Sequence, residues 1–260
     1  MRAFVLGTGS SGNALLVEAE GHRVLVDAGV GPQKLGARLA ALGVDLRPGG
    51  LDAVIATHHH GDHFGGVEKV ARAYGAPVYL HSGIDAPRLR RKLPVREYRP
   101  GEPFCVGSLE IHAEPVPHDA PHVAVRIASR DYAIGVATDV GRPTSLLTSL
   151  LAACDVALLE ANHCPELLAF GPYPPSLQRR IAGGLGHLSN GQAAELAASL
   201  AGSRVARIYL GHLSAANNTP ERALETVASS AKRIRVSVLE HGAVTALDLA
   251  RRAFQTSFAF

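Results

Sequence analysis

Thr57-His58-His59-His60-Gly61-Asp62-His63 places four imidazoles and one carboxylate within a seven-residue stretch of a chain that has 13 histidines in 260 residues. Neutral imidazole and carboxylate are the ligands that bind zinc, manganese or iron, so the chemistry these residue types point to is that of a metal centre. The cluster is internal and follows the apolar run Leu51-Asp52-Ala53-Val54-Ile55-Ala56, which separates it from an expression tag. It reads as a strand delivering ligands into a loop. Extended backbone sends alternate side chains to one side, so His58 and His60 can share one ion while His59 points away. A turn at Gly61 then lets Asp62 and His63 face a second position.

Four ligands do not complete two sites. Three more residues stand where a predicted strand meets a loop: His118, Asp139 after Tyr132 to Thr138, and His212 after Ile208 to Gly211. Such strand ends are where a rigid scaffold presents functional groups. The pattern predicts strands near 2–6, 14–19, 22–27, 52–56, 77–80, 109–115, 122–129, 131–138, 155–160, 205–210 and 235–240. Helices are expected from Pro32 to Gly43, over 64–74, over 146–153, after the Ser189 capping box to about Gly202, and from Thr219-Pro220 to about Lys232. Hairpins followed by strand–helix alternation suit two mixed sheets packed face to face with helices outside. The Gly7, Gly9, Gly12 triplet spells a dinucleotide-binding fingerprint, but a strand pattern rather than a helix follows it, so it reads as a hairpin or a loop near the site.

Composition bounds the rest. At 260 residues and 47% hydrophobic, with no linker or low-complexity run, residues 1–260 read as a single domain. A net charge of +3 admits an anionic partner but is far below a dedicated nucleic-acid-binding domain. Cys105, Cys154 and Cys164 form no CxxC pair, which excludes a cysteine-built zinc site and suits a reducing cytoplasm; Cys105 and Cys154 are expected to fill core space. No run of 18 apolar residues suggests a membrane span, and the N-terminal glycines interrupt any signal-peptide core.

Taken together, THHHGDH, Asp27-Ala28-Gly29, His118, Thr138-Asp139 and Gly211-His212 resemble the metallo-β-lactamase fold superfamily over nearly the whole chain. Glu160-Ala161-Asn162-His163, Gly171-Pro172-Tyr173-Pro174, Gly186-His187-Leu188-Ser189-Asn190 and Gly211-His212-Leu213-Ser214 narrow this to its YycJ/WalJ-like branch, whose metal site is similar to those of ribonucleases Z and J. The resemblance implies an α/β fold, the αββα four-layer sandwich, with two divalent ions at one edge. By matched position it implies that His58, His60 and His118 hold the first, Asp62, His63 and His212 the second, and that Asp139 bridges them. It further implies 5′-to-3′ exonuclease action on DNA, with a metal-bridging hydroxide as nucleophile and Asp62 part of the catalytic centre. Cys164 departs from the branch, where Asp often follows the Asn-His pair. Asp139 at the bridging position argues against a true β-lactamase, whose main zinc branches carry cysteine there.

Two divalent ions, less two carboxylates and a hydroxide, leave a centre of about +1 that welcomes an anion, and such a pair of ions can clamp both oxygens of a phosphodiester. His187, with Asn162, His163, Asn190 or Asn217, is expected to bind a phosphate or assist the leaving group; the asparagines have an equally good reading as helix caps and turns. His22, His81, His112, His122 and His241 read as structural or surface residues, His241 the least securely. Arg88-Leu89-Arg90-Arg91-Lys92 reads as a solvated helix face before a nucleic-acid contact. A small thioester, lactone or cyclic phosphodiester is the alternative substrate, and a non-catalytic nucleic-acid-binding module the third class. The chain has no room for a large inserted substrate domain, so grip must come from loops or from a homo-oligomer.

Overall fold

The computed structural model describes residues 1–249; the expected domain extends over residues 250–260, which lie outside the described residues. Two seven-stranded sheets stack face to face. In chain order the elements are β1 (Arg2–Gly7), β2 (Ala14–Ala19), β3 (His22–Val26), α1 (Pro32–Ala41), β4 (Ala53–Ala56), α2 (Gly61–Phe64), α3 (Val67–Tyr74), β5 (Val78–His81), α4 (Pro87–Arg90), β6 (Val95–Tyr98) and β7 (Phe104–Val106). There follow β8 (Leu109–Pro115), β9 (Val123–Ala128), β10 (Ala133–Ala137), α5 (Ser145–Ala152), β11 (Val156–Glu160), α6 (Pro165–Ala169), α7 (Pro175–Ala182), α8 (Asn190–Ser199), β12 (Arg207–Gly211), α9 (Pro220–Ser230), β13 (Arg235–Val238) and β14 (Thr245–Ala246).

The first sheet runs β14-β1-β2-β3-β4-β5-β6 and the second β13-β12-β11-β10-β9-β8-β7. Val5, Val17, Val26 and Ile55 of the first meet Ile111, Val125, Val136 and Leu158 of the second in a buried central layer. Alternate residues on the same strands, such as Leu16, Leu25 and Val54, pack outward against Leu35, Leu39 and Val70 of α1 and α3. Leu159 and Leu210 likewise pack under Leu151, Leu196 and Val227 of α5, α8 and α9. With both faces covered, the strands read as apolar runs rather than alternating ones, and the layers are αββα, the predicted architecture.

Strand direction positions the site. β3 to β6 pair in parallel, and so do β10 to β13. Each parallel group therefore ends its strands along a single edge, where loops converge.

The structure departs from local expectation in places and agrees with it in others. The helix expected over 64–74 is two pieces, α2 and α3, because Gly65 and Gly66 interrupt it and the Gly66 N–H donates to the Ala28 carbonyl at 2.7 Å instead. The short strands β6, β7 and β14 and the helices α6 and α7 were not anticipated. Cys105 is exposed on the edge strand β7, whereas Cys154 is buried and its thiol donates to the Leu150 carbonyl at 3.3 Å. The Arg88–Lys92 run forms only one helical turn, anchored by buried Leu89, with Arg90 paired to Glu97 and Lys92 to Glu68. The glycine triplet forms a turn between β1 and β2, with no helix after it.

Candidate metal centre

The THHHGDH loop leaves β4 at the common edge and turns into α2. His58 and His63 are fully buried, His60 is half-buried and His59 is exposed. Two candidate ligand groups form there. His58, His60 and His118 each offer a nitrogen within 4.8 Å of the others, and so do the ligand atoms of Asp62, His63 and His212. Asp139 lies between the groups, meeting the same criterion with His58 and His122 on one side and with Glu160, His187 and His212 on the other. All seven residues expected as ligands thus reach a shared edge.

Three residues of this edge sit in the left-handed region: Asp27 at φ 59°, Asp139 at 56° and His212 at 54°. Each lies one or two residues beyond β3, β10 or β12. A non-glycine residue there is strained and is tolerated where its surroundings over-determine it, commonly at functional sites. Here the turn re-aims a side chain that would otherwise continue the strand.

Two orphaned ring nitrogens mark the donor set. His58 Nε2 and His212 Nε2 are buried and have no hydrogen-bond partner, which is costly unless something else engages them. A divalent ion in each group would satisfy both. Ligand orientation is equally built: His118 Nδ1 donates to the Gly186 carbonyl at 3.2 Å, leaving Nε2, which lies 3.3 Å from His60 Nδ1, to face the cluster. The residues fit a pair of divalent cations.

Carboxylates behind the ligands hold them in place. Asp27 accepts from the Thr57 N–H at 2.8 Å and its hydroxyl at 2.9 Å, and lies 2.7 Å from His63 Nδ1. On the far side of that ring Asp139 is 2.7 Å from Nε2. Burial acts against the charged ring, but Asp139 and then Asp27 outweigh it and lift the His63 pKa to about 10. Glu160, fully buried at the end of β11, accepts from the Val140 and Leu188 N–H groups, both at 3.0 Å, through one oxygen. Its other oxygen reaches His212 Nδ1 at 2.8 Å and His187 Nδ1 at 2.9 Å. Burial would raise the Glu160 pKa, but the His187 and His212 rings hold it down to about 2. His212 and His187 are both raised despite burial, by Asp139 and Asp62 for the former and by Glu160 for the latter.

Asp27, Glu160 and Asp119 were not singled out as site residues from the sequence, although Asp27 and Glu160 lie in quoted motifs. Asp119 Oδ1 lies 3.4 Å from His60 Nε2 and 3.3 Å from His118 Nε2, while Arg180 of α7 grips its other oxygen at 2.7 Å. Its position directly after His118 was the available signal. His122, read as structural or surface, is buried with its ring 4.3 Å from that of His58 and Nε2 2.7 Å from the Thr138 carbonyl, directly behind the first group. Asn13 also reaches the second group, with Nδ2 2.8 Å from His63 Nε2.

The expected substrate residues separate. His187 stays 22% exposed beside Asp139 and Glu160. Asn162 donates to the His212 carbonyl at 2.9 Å and so positions a ligand's backbone. His163 is buried, and that burial lowers its pKa to about 4. Asn190 and Asn218 exchange reciprocal amide bonds at 2.9 and 2.8 Å, joining the starts of α8 and α9. Asn217 is fully buried, its amide donating to Ser214 Oγ at 3.1 Å. Asn190 and Asn217 are thus buried, the first paired with Asn218 and the second with its Oδ1 left without a hydrogen-bond partner. His241 contacts the Leu213 carbonyl and belongs to neither group.

A family model described as the metallo-beta-lactamase superfamily matches residues 7–212. The chain is 34% identical over 231 residues to the exodeoxyribonuclease WalJ of Streptococcus pneumoniae serotype 2 (strain D39 / NCTC 7466), covering 86% of this chain and 85% of that protein. It is 30% identical over 229 residues to the exodeoxyribonuclease YycJ of Bacillus anthracis, covering 86% of each. Among solved structures, the metallo-beta-lactamase fold protein YhfI from Bacillus subtilis shares the fold at a TM-score of 0.71 and 16% identity, over 94% of this chain and 98% of that one. Family model, full-length relatives and the layered architecture agree: this chain belongs to the metallo-beta-lactamase superfamily.

Proposed function

We propose that residues 1–260 form one catalytic domain, a metal-dependent phosphodiesterase that degrades DNA from its 5′ end in the cytoplasm. The observation that supports this most is the pair of ligand groups, His58/His60/His118 and Asp62/His63/His212, with Asp139 between them. The WalJ and YycJ relatives, named as exodeoxyribonucleases, supply the substrate class. Zinc, manganese or iron would be held by those seven residues; when bound, such ions polarise a phosphoryl oxygen and lower the pKa of water from 15.7 toward about 7. Among the described residues no helix is long and apolar enough to cross a membrane.

The chain's own residues supply positioning and proton handling. Glu160 holds His187 through Nδ1, which leaves Nε2 directed away from the carboxylate. A ring so held, with its pKa raised by Glu160 against the opposing effect of burial, is placed to pass a proton to a departing oxygen or to a phosphate. His187→Ala lowers turnover by about 10²–10⁴-fold and leaves metal content unchanged; loss of metal would reassign it as a ligand. The function itself is tested with end-labelled single- and double-stranded DNA and RNA, using protein reconstituted with zinc, manganese or iron, beside a panel of fluorogenic esters. Release of nucleotides from the DNA 5′ end is expected. Ester turnover without nucleic-acid cleavage would replace this reading, and DNA affinity without cleavage under any metal would leave a binding module.

A further inference from the structure

A cleft of about 510 Å³ opens beside the first ligand group, with His118 in its wall. That volume falls in the range of roughly 300–1,000 Å³ typical of small-ligand sites. Pro115, Pro117, Pro121 and Leu185 form apolar walls. Leu185, 57% exposed, continues this apolar surface to the outside of the cleft.

Of the polar side chains that line the cleft, all but the exposed Ser82 are already engaged. His81 Nδ1 accepts from the Gly83 N–H at 3.1 Å and its Nε2 lies 3.2 Å from the Thr57 carbonyl. His122 meets the Thr57 and Thr138 carbonyls, at 3.3 and 2.7 Å. Asp119 is held by Arg180. What enters this cleft therefore meets mainly apolar surface, with the Ser82 hydroxyl as the one side-chain group left to hydrogen-bond it. Arg180 at its edge is 61% exposed along its side chain, and exposed Arg142 packs beside Gly184, the neighbour of Leu185. This combination of apolar walls with arginines at the rim suits a flat, weakly polar group attached to an anionic chain.

We propose that this cleft receives the nucleobase of one of the two nucleotides flanking the scissile phosphate, holding it by stacking and without regard to sequence. The inference rests on the nuclease reading above. Because His118 belongs to both the cleft and the first ligand group, a phosphodiester over that group places an adjoining base at the cleft mouth. A flat base laid on these proline and leucine walls buries apolar area whatever its identity, so losing it is expected to lower kcat/KM by about tenfold.

The test uses metal-reconstituted full-length protein and DNA carrying a single abasic site at each flanking position in turn. One of the two positions is expected to lower kcat/KM about tenfold, with little difference among the four bases there. Ser82→Trp, which fills the cleft from an exposed position, and Leu185→Ala, which removes a wall, are expected to narrow the gap between intact and abasic DNA while zinc binding by calorimetry is unchanged. Equal rates on intact and abasic DNA, or a gap that both variants leave intact, would overturn the proposal with the nuclease reading standing. A rate that rises with acyl-chain length on esters, with intact DNA left uncut, would overturn both and assign the cleft to an acyl group.

Discussion

At the scale of single residues, the centre depends on carboxylates that stand behind the imidazoles. Glu160 serves two histidines at once, so Glu160→Gln leaves the shape but removes the charge that orients both rings. Loss of such an outer partner lowers metal affinity or activity by about 10–100-fold. Metal analysis after dialysis against a graded chelator checks the first effect, and turnover at saturating metal checks the second. His63 carries a proton linkage whose sign follows from its pKa, raised from 6.5 to about 10 by Asp139 and Asp27 against the opposing effect of burial. In the metal-free protein this proton contributes stability in full below pH 6.5, and the contribution is lost as pH rises toward 10. A cation must displace the same proton, so metal binding near neutrality releases protons and tightens as pH rises across that window. Calorimetric zinc titrations in buffers of different ionisation enthalpy measure the release; no buffer dependence would contradict the His63 assignment.

At the scale of elements, close backbone contacts hold the site loops in register. The Asn13 N–H donates to the Asp62 carbonyl at 2.7 Å, Ala28 to His63 at 2.8 Å and Gly29 to Asn13 at 2.9 Å, so three loops stack directly. A Cβ on Gly29 would fall inside the Asp62 carbonyl, where backbone on both sides cannot yield. Gly29→Ala is therefore expected to cost about 1–3 kcal/mol or more, read by urea denaturation, with metal binding weakened as Asp62 shifts. Asn218→Ala removes one half of the buried pair joining α8 to α9 and strands the Asn190 amide. It should cost about 1–3 kcal/mol in the same assay while the metal content holds. Long or capped elements were legible in the chain: Ser189 and Gln192 complete both bonds of their capping box, and Thr219 caps α9. The edge strand Val95–Tyr98 was not, because half of it is charged and exposed; α6 has only 5 residues, and α7 buries only Ile181, so neither shows an apolar period.

At the scale of the whole molecule, the centre joins the two sheets: β4 of one delivers His58, while Asp139 and His212 follow β10 and β12 of the other. Ions bound between them stabilise the folded state alone, by about 4 kcal/mol per site at a thousand times the dissociation constant. Chelation is expected to lower the Tm and readdition of zinc or manganese to restore it; an unchanged Tm would detach the centre from the fold's stability. The amino-acid sequence by itself determined the candidate ligand types and their placement at strand ends, since both follow from local pattern: a short apolar run, then His, Asp or Gly. Only the tertiary structure decided which carboxylate backs which imidazole. Asp27 and His63 are 36 residues apart, Glu160 and His212 52 apart, and Asn190 and Asn218 turn to each other across 28. Such neighbours are set by strand order, register and the left-handed turns at Asp27, Asp139 and His212, which arise from long-range packing that no local stretch of residues encodes.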